Sequence, residues 1–151
     1  MEINGLPLHP LVVHGAVVLT PVAALLAIAY VVPGLRDRLR WPLLVGALVA
    51  VGAVVTAYLT GNHFRQANDF FNQPPLADRI DKHYAYARQL LWATVGFGVV
   101  ALLNVLLHRS RARWLVVLLG VLLAADAVAV LVLVFLTGEA GARSVWSGTP
   151  G

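Results

Sequence analysis

The segment Trp114–Thr137, WLVVLLGVLLAADAVAVLVLVFLT, decides the fold class. A helix needs about 20 apolar residues to cross a bilayer, and this run exceeds that with Asp126 as its single charge. Its apolar residues are continuous, without the alternation of a membrane-barrel strand. Three more runs of this kind precede it, at 10–32, 41–61 and 84–107. The third carries Arg88 and Gln89 in its opening turns.

The whole composition agrees. Of 151 residues, 60% are hydrophobic and 12% charged, with a mean hydropathy of +0.81. A soluble domain is about 45–50% apolar and about 25% charged. One small core cannot hide the excess, because a domain of this size still exposes about a third of its unfolded surface. A soluble enzyme, a disordered tail and a nucleic-acid-binding module are excluded. The expected architecture is all-α: residues 1–151 form one integral membrane domain, a four-helix bundle. Cysteine is absent, which removes disulfides, thiolate nucleophiles and Cys-ligated metal centres.

Arginine sets the orientation. Arg36, Arg38 and Arg40 follow the first span, and Arg109, Arg111 and Arg113 follow the third. The longer middle loop, expected over 62–83, balances Arg65, Arg79 and Lys82 with Asp69, Asp78 and Asp81. Basic density marks the two short loops as cytoplasmic, so both termini and the middle loop are expected on the non-cytoplasmic side. This distribution also accounts for the basic pI without nucleic acid as a partner. The first span lacks a basic leader and is longer than a signal-peptide core, so it reads as a retained span. Trp41 with Pro42, Trp92 and Trp114 read as interfacial residues near helix ends. Gly46, Ala50, Ala53, Ala57 and Gly61 give the second span small residues for close helix approach. The two hairpins are similar in length, but no shared motif marks an internal repeat.

Four of the five histidines fall on the non-cytoplasmic side. His9 and His14 open the first span, His63 closes the second and His83 opens the third. His9 and His14 diverge by about 140° on a regular helix. His9 precedes Pro10 and is therefore biased towards extended geometry, which leaves His14 better placed to face the interior. His14, His63 and His83 are expected to approach one another.

Imidazole is the usual neutral ligand for zinc, copper and iron, and two on facing helices can hold a haem iron axially. Two ligand sets follow. For haem b, His14 pairs with His63 or His83, and Arg65 and Arg88 stand among the cations available to propionates. For a transition metal (Zn, Cu or Fe), the set is His9, His14, His63, His83 and Glu139. The bland alternative is a set of interfacial histidines bonded to carbonyls and water. Asp126 lies at mid-span beside the depth of Thr20, Pro21 and Thr94. Its ionised form is costly there, so it is expected to be neutral and to donate to a neighbouring helix. The freed carbonyl of Val17, four residues before Pro21, is one acceptor.

The opening Gly5-Leu6-Pro7-Leu8-His9-Pro10-Leu11-Val12-Val13-His14 resembles the signature of a bacterial four-helix membrane family, domain of unknown function 2231. The closing Thr137-Gly138-Glu139-Ala140-Gly141-Ala142-Arg143-Ser144-Val145-Trp146 and the lone His83 match it as well. The resemblance spans nearly the whole chain and implies a multi-pass protein of the bacterial cytoplasmic membrane. It carries His9, His14 and His83 over as the polar site. Some members are joined to Rieske-type or other redox domains, which implies electron transfer. Members often carry a His where this chain has Glu139, a departure that removes a fourth-helix imidazole and weakens the haem reading, whereas a metal site accepts the carboxylate.

Three function classes stand after this reading. The first is a haem- or metal-binding, electron-transferring membrane protein with a redox partner. The second is a non-catalytic structural or assembly subunit. The third is a small transporter or channel using Asp126, working as a homo-oligomer. A hydrolase lacks an evident nucleophile–base pair.

Overall fold

The computed structural model describes residues 2–3, 6–74 and 76–146. A two-residue ladder, β1 (Glu2–Ile3) against β2 (Leu6–Pro7), leads into four long helices. These are α1 (Leu8–Tyr30), α2 (Arg36–Gln66), α3 (Leu76–Leu106) and α4 (Arg113–Trp146), with a 3-10 turn at Asp69–Asn72. Each helix packs antiparallel to its chain neighbour, and α1 closes the ring against α4. All four are long and apolar enough to cross a membrane.

The helices outrun the apolar windows. At 1.5 Å per residue, the 31 residues of α2 span about 46 Å, against a hydrocarbon layer of about 30 Å. The apolar pattern ends where lipid ends, but backbone hydrogen bonding continues through polar turns. The middle loop expected over 62–83 therefore contracts to the connection between Gln66 and Leu76. Most of its polar residues stand on the last turn of α2 and the first turns of α3. Two further expectations change. Pro42 lies inside α2, and Trp92 sits midway along α3, 68% exposed, away from any helix end.

Alanine and glycine dominate the contacts between helices. Ala23, Ala24 and Ala27 of α1 and Ala47 and Ala50 of α2 are fully buried. A methyl placed on Gly46 would stand 3.6 Å from the Cβ of Ala23, and one on Gly98 would stand 2.9 Å from Val51 Cγ2. Lipid offers little hydrophobic drive between helices, so close backbone approach has to supply dispersion contacts. Phe97, Leu43, Leu123 and Val130 fill the centre. Val18, Leu25, Leu48, Val117 and Phe135 point outward. In water this belt would far exceed the apolar patches of a soluble monomer.

The bundle has two chemically distinct ends. The arginine end carries the connections 31–35 and 107–112. The histidine end carries the starts of α1 and α3 and the close of α2 and α4.

The two hairpins also share a register. Tyr30 of α1 bonds Asn104 of α3, 74 positions on. The same step takes the buried Ala16, Thr20, Ala23 and Ala27 to the buried Leu90, Thr94, Phe97 and Ala101. A second constant step takes Leu43, Ala47, Ala50 and Val54 of α2 to Leu123, Ala127, Val130 and Val134 of α4. Inward faces of any helical bundle repeat in threes and fours, so this agreement alone is generic. Carried to the histidine end it stops being generic, because each step there also superposes functional groups.

Candidate functional site

His9 is helical, the second residue of α1, and Pro10 after it falls in the first turn. A missing N–H costs nothing there, which outweighs the extended bias of a residue before proline. The imidazole reaches α2, where Nδ1 lies 3.0 Å from the carbonyl of Ala57. A carbonyl only accepts, so Nδ1 carries the proton. The ring lies against Gly61, where an added Cβ would come within 2.7 Å of Cε1. It also stacks on Phe64, with centroids 6.5 Å apart.

His83 repeats this arrangement on the other hairpin. Its Nδ1 lies 3.0 Å from the carbonyl of Thr137 on α4. Its ring lies against Gly141, where a Cβ would stand 3.1 Å from Cε1. The step that relates α1 to α3 takes His9 to His83. The step that relates α2 to α4 takes Ala57 to Thr137 and Gly61 to Gly141. A side chain at i+4 flanks the carbonyl of residue i on a helix face. Glycine at that position leaves the carbonyl open to an imidazole. The internal repeat missed in the sequence is thus present, with its shared motif split between two helices.

Both imidazoles are half-buried. They line one cavity of about 770 Å³ at the histidine end. His14 lines it too, exposed, with its own Nδ1 donating to the carbonyl of Pro10 at 2.6 Å. All three histidines spend Nδ1 on the main chain, and no described residue engages Nε2 of any of them. A neutral imidazole so held presents its Nε2 lone pair, the state in which histidine ligates metals.

The cavity walls are mostly apolar, from Val13, Val54, Leu90 and Val134 among others. Polar groups gather between α2 and α3. Tyr58 and Tyr84 share a hydroxyl–hydroxyl bond of 2.5 Å. The Arg65 guanidinium lies 5.7 Å over the Tyr84 ring and pairs with Asp81 at 2.6 Å. Arg79 also lines the cavity.

The remaining candidates disperse. His63 is exposed and outside the cavity lining, as is Arg88. The expected convergence of His14, His63 and His83 is replaced by that of His9, His14 and His83. Glu139 pairs with Arg143 at 2.6 Å and lines a separate depression with Arg79, Lys82 and Tyr86. Among the described residues, no three His, Asp or Glu side chains cluster closely enough to hold a bare metal ion. Asp126 makes no hydrogen bond to another helix among the described residues. Its Oδ2 lies 3.6 Å from the Cβ position of Gly96, and Thr94 is satisfied within α3 by the carbonyl of Leu90. Sequence reasoning missed Gly61, Gly141, Tyr58 and Tyr84. The one sequence signal for the glycines is the small-residue spacing of the second span, which includes Gly61.

Comparison with curated proteins and with solved structures finds no significant match. A family model does match, over residues 5–150, almost the full length of the described bundle and all of its cavity. The chain therefore belongs to the family described as predicted membrane protein, domain of unknown function 2231.

Proposed function

We propose that this membrane protein binds haem b at the histidine end and carries electrons in the membrane. The observation that supports this reading is the matched pair of imidazoles. His9 and His83 come from different hairpins, are pinned alike through Nδ1, and line one largely apolar cavity, with Nε2 of neither engaged by a described residue. Two ligands suffice for haem iron, whereas a bare ion needs three or four. The cavity volume is within the range of small-molecule sites.

His9 and His83 would hold the haem iron, in place of the pairing of His14 with His63 or His83. Arg65 and Arg79 supply positive charge in the same cavity for propionates. Bound there, haem would supply one-electron transfer at a potential set by its two imidazoles and its burial. The protein's part is to hold both rings in one tautomer and one orientation, and to keep water from the walls. In this reading the arginine end faces the cytoplasm of a bacterium and the cavity faces the redox partner on the opposite side. Reporter fusions at Gly34 and Ser110 test that orientation, and both should report cytoplasm.

The absorption spectrum of the purified protein tests the function. A Soret band is expected, with a bis-imidazole reduced spectrum that His9→Ala or His83→Ala removes. Folded protein that is colourless and takes up no added haemin overturns the reading and leaves a structural subunit.

A further inference from the structure

The two hairpins repeat the histidine sockets, but they do not repeat what surrounds them. Between α2 and α3 the cavity is shut by the Tyr58–Tyr84 pair and by Arg65. The steps that relate the hairpins put Pro10 where Tyr84 stands and Gly138 where Tyr58 stands. Among the described residues, the seam between α1 and α4 therefore lacks the aromatic closure of its counterpart.

Exposure follows the same division. Among the described lining residues, those on α2 and α3 are all buried or half-buried. The exposed ones are Pro10, His14 and Val17 on one face of α1, Gly138 and Ala142 on one face of α4, and Phe70 at the rim. Val17 lies nine residues into α1, about 14 Å along its axis from Leu8. An opening that deep lies alongside acyl chains, below the polar layer.

We infer that the seam between α1 and α4 is a lateral portal from the bilayer. Through it a planar amphiphile dissolved in lipid reaches the His9–His83 pair. This inference rests on the haem reading for the identity of the ligand. His14, exposed on the wall of the seam with Nε2 free, is the first polar group such a ligand meets.

Glycine at 138 makes the test clean. Nothing lies within 4 Å of a Cβ built there, and the same holds at Gly52, exposed on α2 away from the cavity. Gly138→Leu should leave the fold intact and fill the portal, and Gly52→Leu is the matched control. The probe is haemin preloaded into phosphatidylcholine vesicles that hold the apo-protein, with the Soret band followed in time.

Gly138→Leu is expected to slow uptake about tenfold, the factor produced by a barrier raised by about 1.4 kcal/mol. Each rate is read relative to that protein's own final Soret amplitude, and Gly52→Leu should load at the wild-type rate. Ala142→Leu, one turn further on, should slow uptake in the same sense and stands in if Gly138→Leu misfolds. Wild-type rates in both seam variants overturn the portal and send entry past Phe70 at the aqueous rim. An altered oligomeric state in either seam variant also overturns it, because the seam is then a contact between copies of the chain. Wild-type protein that takes up no haemin overturns the haem reading and this inference together.

Discussion

The two ends of the bundle use the same kinds of groups to opposite effect. At the arginine end, polar side chains close the structure. The Tyr30 hydroxyl donates to the carbonyl of Asn104, and the Asn104 amide donates to the carbonyls of Val100 and Leu119. Arg36 stacks over Tyr30 and covers the bare face of Gly120. His108, nearly buried, lies 3.1 Å from a carboxylate oxygen of Asp37. At the histidine end, His9, His14 and His83 each make one bond to a carbonyl and hold the second nitrogen in reserve, beside a cavity instead of a packed core. Asn104 spends both amide protons on carbonyls, one in its own helix and one in α4, and so fixes that pair, although Arg36 Nε and His108 Nε2 at the same end make no hydrogen bond. An imidazole that spends one nitrogen on a carbonyl is fixed itself and remains able to bind.

The largest expected effect separates the ends by ligand. His9→Ala and His83→Ala should each remove the Soret band, whereas His63→Ala and His108→Ala should leave it unchanged. Equal loss with His63→Ala would move an axial ligand out of the cavity and break the comparison. The next effect is on the sockets. Gly61→Ala puts a methyl 2.7 Å from the His9 ring, and Gly141→Ala puts one 3.1 Å from the His83 ring. In each case the side chain that must move is the ligand itself. Haem affinity should fall by about 10–100-fold, as for lost outer-shell support of a metal-ligating histidine, and fall further for Gly61→Ala. Haemin titration measures it, and thermal unfolding of the apo-protein should change little.

A smaller effect belongs to the arginine end. Tyr30→Phe removes the bond to Asn104 and keeps the ring over which Arg36 lies. It should cost about 0.6 kcal/mol of stability, the average for an interhelical hydrogen bond in a membrane protein, with no change in the haemin titration. A shifted haem affinity would mean that the two ends are coupled along the helices.

How much of this was legible in the sequence follows from the range of each signal. Span number and type are local properties of 20-residue windows, so all four helices could be read directly. Helix ends were harder because hydropathy reports lipid, while helices continue for turns in water, as α2 and α3 do at the histidine end. His9 runs against its sequence expectation because the residue before a proline is ordinarily extended, yet the first turn of a helix accepts the pair. The sockets were illegible for a different reason. Each joins a histidine on one helix to a glycine and a carbonyl on another, 48 residues away for His9 and Ala57. No one-dimensional spacing records that contact, and a repeat split between two helices with different steps does not align as a motif.

The smallest effect concerns Asp126, at mid-depth between the two ends. Depth alone suggests a carboxyl bonded across helices, since an isolated charge there is costly. The structure seats it instead beside Gly96, where the absent side chain leaves room for a carboxyl. Thr94, the nearest hydroxyl on α3 in the sequence reading, already donates to Leu90 within its own helix. Asp126→Asn keeps the size of the group, and Asp126→Leu removes its polarity. With no interhelical bond to lose, both variants should stay within about 0.5 kcal/mol of wild type, the usual range for a substitution away from a defined polar contact. Thermal unfolding in detergent, combined with the haemin titration, measures both. A loss of more than about 0.6 kcal/mol in Asp126→Leu, but not in Asp126→Asn, would restore an interhelical bond of average strength. A haem affinity altered in either variant would tie the middle of the bundle to the histidine end and extend the functional half of the molecule past the cavity.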